Sequence, residues 1–161
     1  YWAFWNDNTK NYEHMLQIIL EVVYFNGTVY KKAVVPIVLW MGPDAGETFE
    51  TALTITPGVS LGSLHWQLDP TDFYKVMLME GKIINVSLTP TKLCSDCDLY
   101  IFDPNGQLRA SSCTPGDPVS CLPLTEHITF TADSTGYWYI KIQKSSSVLQ
   151  NPYLLNITTS P

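Results

Sequence analysis

The sequence is poor in charged residues, and basic residues are the scarcer kind. Only 15% of the 161 residues are charged, with 9 Lys and Arg against 15 Asp and Glu. The resulting net charge of −6 argues against a nucleic-acid partner, whose phosphates a protein must neutralise with Lys and Arg. The shortage of strong helix formers such as Lys, Arg and Glu also argues against a helical bundle.

The sequence also lacks an apolar run long enough for a membrane helix. Gln17 and Glu21 interrupt the first apolar stretch, and residues 33–40 form a run of only 8, where a spanning helix needs about 20. We therefore expect no helical anchor. The chain starts with Tyr1 rather than Met, which is typical of an exported chain after removal of its leader. We expect an extracellular or cell-surface location.

Signals of catalysis are missing as well. There is no Gly-x-Ser-x-Gly elbow and no glycine-rich phosphate loop. His14, His65 and His127 are far apart in sequence, without the close spacing of a zinc peptidase, and Glu47 and Glu50 fall in a polar turn. The sequence therefore predicts no catalytic residue, no metal and no cofactor, so the protein is expected not to be an enzyme.

What the sequence does contain is typical of strands and turns. Hydrophobic residues make up 45% and aromatic residues 12%, with 11 Pro and 9 Gly. Residues 15–25 alternate with period two, and Asn26-Gly27 is a strong signal for a two-residue hairpin turn. Residues 28–40 return as a second strand, in which Pro36 predicts either a bulge or an edge position.

The turn-forming residues 41–46 form the best candidate boundary. We expect an N-terminal arm over residues 1–14 as a possible donor strand, a β-hairpin over 15–43 packed on or completing a sandwich, and the sandwich itself over 44–161. The fold class is all-β, an antiparallel β-sandwich of jelly-roll type with an N-terminal strand and hairpin extension. Its strands are predicted at residues 59–67, 73–79, 82–89, 98–102, 107–111, 126–131, 137–143 and 153–158.

Four cysteines fall within 28 positions: Cys94, Cys97, Cys113 and Cys121. Two disulfides are favoured over one zinc site, because the spacing of the second pair is too wide for a zinc knuckle. A predicted hairpin that pairs Phe102 with Gln107 brings Cys97 close to Cys113. A bridge between those two therefore competes with the local pairs Cys94–Cys97 and Cys113–Cys121, and the sequence leaves all three open.

Three Asn-x-Ser/Thr sequons begin at Asn26, Asn85 and Asn156. Asn26 lies at the predicted turn. Asn85 and Asn156 alternate with apolar neighbours, which predicts that they lie on the solvent face of their strands. They are candidate glycosylation sites, and ordinary surface asparagines are the alternative.

From Asp44 onward a series of short motifs follows in order along the chain: Asp44–Ala52, Gly62-Ser-Leu, Asp69–Tyr74, Gly81–Leu88, Asp98–Gly106, Thr135–Ile142 and Tyr153–Ile157. The order of these motifs resembles the bacterial and archaeal pre-peptidase C-terminal (PPC) domain, a β-sandwich found on secreted proteins. The resemblance spans residues 44–158 and leaves the first 43 residues and the insert at 113–121 without a counterpart.

The resemblance implies a non-catalytic module, and some related domains bind calcium, collagen-like or carbohydrate ligands. Asp69 and Asp72 lie at the family's acidic position before a Tyr-containing strand. Two carboxylates fall short of the six to eight oxygens that calcium takes, so a solvated turn is the favoured interpretation and no metal is predicted.

Two functions fit these features. The first is a structural subunit of a cell-surface filament or sheath, a head-to-tail homopolymer in which the arm of one copy completes the sheet of the next. The aromatic residues that would make this contact are Tyr1, Trp2, Phe4 and Trp5. The alternative is a carbohydrate- or protein-binding accessory module of a secreted or cell-surface protein.

Overall fold

The computed structural model describes residues 13–25, 30–43, 45–65, 68–115, 121–146 and 150–160. The chain divides into two compact units, Tyr1–Asp44 and Ala45–Pro161. Every regular element in the described residues is a β-strand, so the all-β prediction is confirmed. None of these residues forms a helix with the length and apolar character needed to cross a membrane.

In its described residues, the first unit forms an antiparallel hairpin. Its strands are β1 (Glu13–Phe25) and β2 (Tyr30–Pro43). Pro36 pairs with Ile19 in a regular part of the ladder, so the edge alternative fits β2 and the bulge does not. Phe25 pairs with Tyr30, whereas a two-residue turn would pair it with Thr28, so the predicted start of pairing is wrong by two residues.

The second unit is a sandwich of two sheets. The five-stranded sheet has the order β3-β5-β10-β7-β8, and the four-stranded sheet has the order β4-β11-β6-β9. All pairs are antiparallel except β3 with β5, which is parallel. The strands are β3 (Leu53–Thr54), β4 (Gly58–His65), β5 (Thr71–Leu78), β6 (Ile83–Pro90), β7 (Cys97–Phe102), β8 (Leu108–Ser112), β9 (Glu126–Thr131), β10 (Gly136–Lys144) and β11 (Gln150–Ser160).

Alternation along the strands builds the core between the two sheets. In β6, Ile84, Val86 and Leu88 are fully buried while the residues between them are partly exposed. Each such side chain contributes about 1.5–3 kcal/mol to folding. Trp138 of β10 is also fully buried, and its indole N–H donates to the Ser134 carbonyl at 3.1 Å.

The β7–β8 hairpin turns at Asp103, as the sequence predicts. The Asp103 carboxylate accepts hydrogen bonds from the amides of Asn105 and Gln107, both at 2.9 Å, and Gly106 has a φ of 78°. The ladder is irregular next to the turn, so Phe102 pairs with Leu108 rather than with Gln107.

The cysteine predictions need correction. Cys94 is bridged to Cys121, with Cα atoms 4.3 Å apart, while Cys97 and Cys113 are free thiols. None of the three expected pairings is formed, and one disulfide replaces two. The reason is the register: Leu99 pairs with Ser112, so Cys97 faces the core while Cys113, beyond the end of β8, is exposed. In the described part of the chain, no three metal-ligating side chains are grouped around a possible ion.

Candidate binding surface

The outward face of the five-stranded sheet carries aromatic side chains on three adjacent strands. Three of these side chains lie on the outward-facing side of their strands: Phe73 of β5, Tyr139 of β10 and Phe102 of β7. Tyr139 pairs directly with Phe102. Phe49 lies over all three, with ring centroids 4.9, 5.0 and 5.2 Å from those of Phe73, Tyr139 and Phe102. These four rings form what we call the aromatic face.

A tight turn holds Phe49 in this position. The side chains and amides of Thr48 and Thr51 bond to each other, with amide-to-hydroxyl distances of 3.1 and 3.3 Å. Before the turn, the Gly46 carbonyl accepts a hydrogen bond from the Phe73 amide at 2.6 Å. A Cβ at Gly46 would lie 2.1 Å from the Thr51 carbonyl oxygen, so only glycine fits this approach.

Exposed apolar side chains border the aromatic face. Tyr137 pairs with Met77, and the two side chains are 41% and 53% exposed. The Lys75 ammonium lies 5.7 Å from the centre of the Tyr137 ring. Leu108, paired with Phe102, is exposed on the other side of the cluster. The aromatic face therefore continues into a solvent-accessible apolar border with a cation in it.

A second ammonium group lies within the same surface. Lys141 Nζ is 5.3 Å from the Tyr100 ring centre and 5.9 Å from that of Phe73. It also donates to the Gln143 side-chain oxygen at 2.7 Å. A cation at this distance is attracted to the faces of the rings. An ammonium group has three N–H donors, so two remain that can contact an oxygen atom of a ligand.

Tyr100 is a hydrogen-bond donor at this surface. Its hydroxyl donates to Asp98 Oδ2 at 3.3 Å. A hydrogen bond with the Cys113 side chain, followed by burial and the Asp98 charge, raises the pKa of Tyr100. Burial also raises the pKa of Asp98. The phenol consequently keeps its proton throughout the neutral range.

The outward face of the four-stranded sheet is different, because its polar side chains bond to one another. Ser87 Oγ lies 3.0 Å from His127 Nδ1, and Thr129 lies 3.3 Å from His127 Nε2. Thr129 also donates to Asn85 Oδ1 at 2.8 Å. His127 is an exposed residue of this face. The contact with Ser87 joins residues 40 apart in the chain, and no local pattern signals it.

The Ser87–His127 contact does not build a nucleophilic triad from the described residues. A triad needs a group that orients the histidine, normally a carboxylate, and here Thr129 occupies that side of the ring. His65 makes a local contact instead, accepting a hydrogen bond from the Leu68 amide at 3.3 Å.

Asp72 lies in the core rather than in a solvated turn. It is 1% exposed and accepts a hydrogen bond from the Tyr153 hydroxyl, which also lies 2.7 Å from the Tyr74 hydroxyl. Asp72 lies on the same side of β5 as the buried Tyr74. The solvated-turn interpretation is therefore wrong for Asp72. Asp69 is partly buried and bonds through its backbone to His65.

The remaining predicted site residues divide into two groups. Asn85 and Asn156 are partly exposed on the outward face of the four-stranded sheet, at alternating positions as expected. The other predicted residues fall outside the described part of the chain: Asn26, Tyr1, Trp2, Phe4 and Trp5.

Comparison with known proteins shows which domains the sandwich is similar to. Residues 70–144 match the model of the family described as the bacterial pre-peptidase C-terminal domain, and no curated protein matches the chain. The fold is similar to that of the pre-peptidase C-terminal domain of a collagenase from Bacillus anthracis, with a TM-score of 0.52, 18% identity, and coverage of 66% of this chain and 93% of that one. The second unit is therefore a PPC-like β-sandwich, as the sequence motifs indicate.

Weaker likenesses also occur. PliG, a periplasmic inhibitor of g-type lysozyme, matches from Aeromonas hydrophila with a TM-score of 0.47, 13% identity, and coverage of 67% of this chain and 96% of that one. PliG from Salmonella Typhimurium matches with a TM-score of 0.45, 15% identity, and coverage of 68% and 100%. Scores at this level do not establish a shared fold.

Proposed function

We propose that the sandwich is a non-enzymatic binding module of an exported protein, and that it holds a polysaccharide or protein ligand on the aromatic face. One observation carries this proposal: Tyr137 and Met77 are exposed beside a cluster of outward aromatic rings, with Lys75 against Tyr137. Folding requires aromatic residues in the core and does not require them on the outer side of a sheet.

The chemistry of this surface suits both ligand classes. Aromatic rings bury a large apolar area with few rotatable bonds, so they bind the flat faces of sugars or the apolar side chains of a protein at low entropic cost. The ammonium groups of Lys75 and Lys141 would contact hydroxyl, carboxylate or carbonyl oxygens. The opposite sheet offers fewer such groups, because Ser87, His127 and Thr129 already bond to one another.

The disulfide supports export. Cys94–Cys121 is the kind of bridge that persists in oxidising surroundings such as the periplasm or the cell exterior. An extracellular or cell-surface position would place the module where polysaccharide and structural proteins are available as ligands.

Binding measurements with a matched pair of variants test this function. The full chain would be incubated with insoluble polysaccharides and with fibrous proteins, including collagen because the similar domain belongs to a collagenase. Tyr137→Ala should weaken binding of the retained ligand at least about 5-fold, the loss of about 1 kcal/mol of contact. Val59→Ala truncates an exposed apolar side chain on the other sheet and should leave binding unchanged. Equal affinity of the two variants would contradict the proposal.

A filament subunit is the second candidate. In the described residues β1 and β2 form a sheet of two strands only, and such a sheet is marginally stable without a partner surface. Pairing with another copy would supply that partner, with the arm at residues 1–14 as the donor. Electron microscopy of native material tests this: filaments that disappear when residues 1–14 are deleted support it, and monomers in both samples contradict it.

A further inference from the structure

Two sequons lie against each other in the four-stranded sheet. The pairing of β6 with β11 places Asn85 opposite Thr158 and Ser87 opposite Asn156. Each acceptor asparagine therefore faces the hydroxyl residue of the other sequon. The middle residue of each sequon is buried, so all four polar residues belong to the outward face. The two asparagines are diagonal neighbours, a relation that corresponds to about 7–8 Å across a sheet.

The Asn85 amide is oriented for modification at nitrogen. Thr129 donates a hydrogen bond to Asn85 Oδ1 at 2.8 Å. A glycan attached to Nδ2 leaves that oxygen free to keep accepting this bond. Because the amide is planar, the bond directs Oδ1 toward β9 and Nδ2 away from it. The hydrogen bond from Thr129 is therefore compatible with a glycan on Nδ2.

The surface beside Asn156 carries exposed apolar side chains that a glycan would cover. Asn156 pairs with Val59 of β4, the strand at one edge of the four-stranded sheet. Val59 is 64% exposed and Leu61, on the same side of β4, is 52% exposed. An edge strand without Lys, Arg, Asp or Glu and with exposed apolar side chains is a site of unwanted strand pairing. A glycan on Asn156 would cover this strand.

The folded sheet would hinder attachment. β6 and β11 are the two inner strands of the sheet, so each is hydrogen-bonded on both sides. The Ser87 hydroxyl, which completes the Asn85 sequon, lies 3.0 Å from His127 Nδ1. A transferase must contact this hydroxyl in an accessible, extended segment, and the closed sheet contains no such segment at this sequon.

We propose that Asn85 and Asn156 are a pair of N-glycosylation sites that are modified before the four-stranded sheet closes. In the reaction, Nδ2 of the asparagine attacks the anomeric carbon of an oligosaccharide linked to a lipid phosphate carrier. The bond from that carbon to the phosphate oxygen breaks, a carbon–nitrogen bond forms, and the amide loses one proton. The folded module then carries two adjacent glycans on the face opposite to the aromatic face.

The test uses secretion in a host that is shown to glycosylate Asn105 of the Gln107→Thr chain. That substitution completes a sequon in the exposed β7–β8 turn. Peptide mapping of the secreted wild type should find a glycan on Asn85 and another on Asn156. Asn85→Gln should lose the first only and Asn156→Gln the second only. Unmodified Asn85 and Asn156, in a host that modifies Asn105, would overturn the proposal.

The order of events has its own test. An oligosaccharyltransferase and its lipid-linked donor would be given the folded, unglycosylated Gln107→Thr chain, and separately free peptides that span each sequon. We expect the glycan to be transferred to all the peptides. In the β-sandwich of the folded chain, we expect it to be transferred to Asn105 alone. Equally fast transfer to Asn85 or Asn156 in the folded chain would show that closure of the sheet does not matter and would overturn this part of the proposal.

Discussion

Removing the disulfide provides the sharpest test of the structure. The double variant Cys94→Ser/Cys121→Ser releases a bridge between residues 27 apart in sequence, so the loop that it closes in the unfolded chain is of that size. The entropy of closing such a loop corresponds to about 3–4 kcal/mol of folding free energy. At about 2–4 °C per kcal/mol for a chain of this length, Tm should fall by about 6–16 °C.

The assay is thermal unfolding followed by circular dichroism, with Cys113→Ser as the control. Cys113 is an exposed free thiol, so its substitution should change stability by no more than about 0.5 kcal/mol. A peptide map without reduction should contain a single cross-link, between the peptides of Cys94 and Cys121. A cross-link that includes Cys97 or Cys113, or equal destabilisation by the control, would refute the assigned register of β7 and β8.

Three further results are expected. Burial, followed by nearby carboxylates, raises the pKa of Cys97 to about 12. A thiol reagent should therefore label only Cys113 in the native chain, and labelling of both thiols would contradict this. Burial raises the pKa of Asp103, but amide hydrogen bonds and a guanidinium outweigh this effect and lower the pKa overall. The loss of unfolding free energy caused by Asp103→Asn should therefore be largest above about pH 4 and shrink on acidification, which urea melts measure. Gly62→Ala places a Cβ 2.3 Å from the Tyr153 ring and should cost about 1–3 kcal/mol, which an unchanged Tm would disprove.

The strands could be predicted because burial on one face imposes period-two alternation. Residues 82–89, predicted as a strand, correspond to β6 at Ile83–Pro90, and residues 126–131 match β9 at Glu126–Thr131. β3 was missed because two residues cannot show a period, and its parallel pairing with β5 depends on the rest of the sheet.

Local sequence patterns could not predict the features that depend on the register between strands. An irregular ladder step beside Phe102 moves its partner from Gln107 to Leu108, and this removes the basis for expecting Cys97 close to Cys113. The aromatic face shows the same limitation. Alternation indicates that Tyr139 and Phe102 lie on one side of their strands, but their contact through Phe49 requires the sheet order.

The proposed binding function depends most on where a ligand contacts the sandwich. Amide chemical-shift mapping on the isotopically labelled full chain, titrated with a soluble fragment of the ligand retained in the binding panel, measures this directly. We predict perturbations that cluster in β5, β7, β10 and the turn at Phe49. Perturbations confined to β6, β9 and β11 would place the ligand on the opposite sheet and contradict the account.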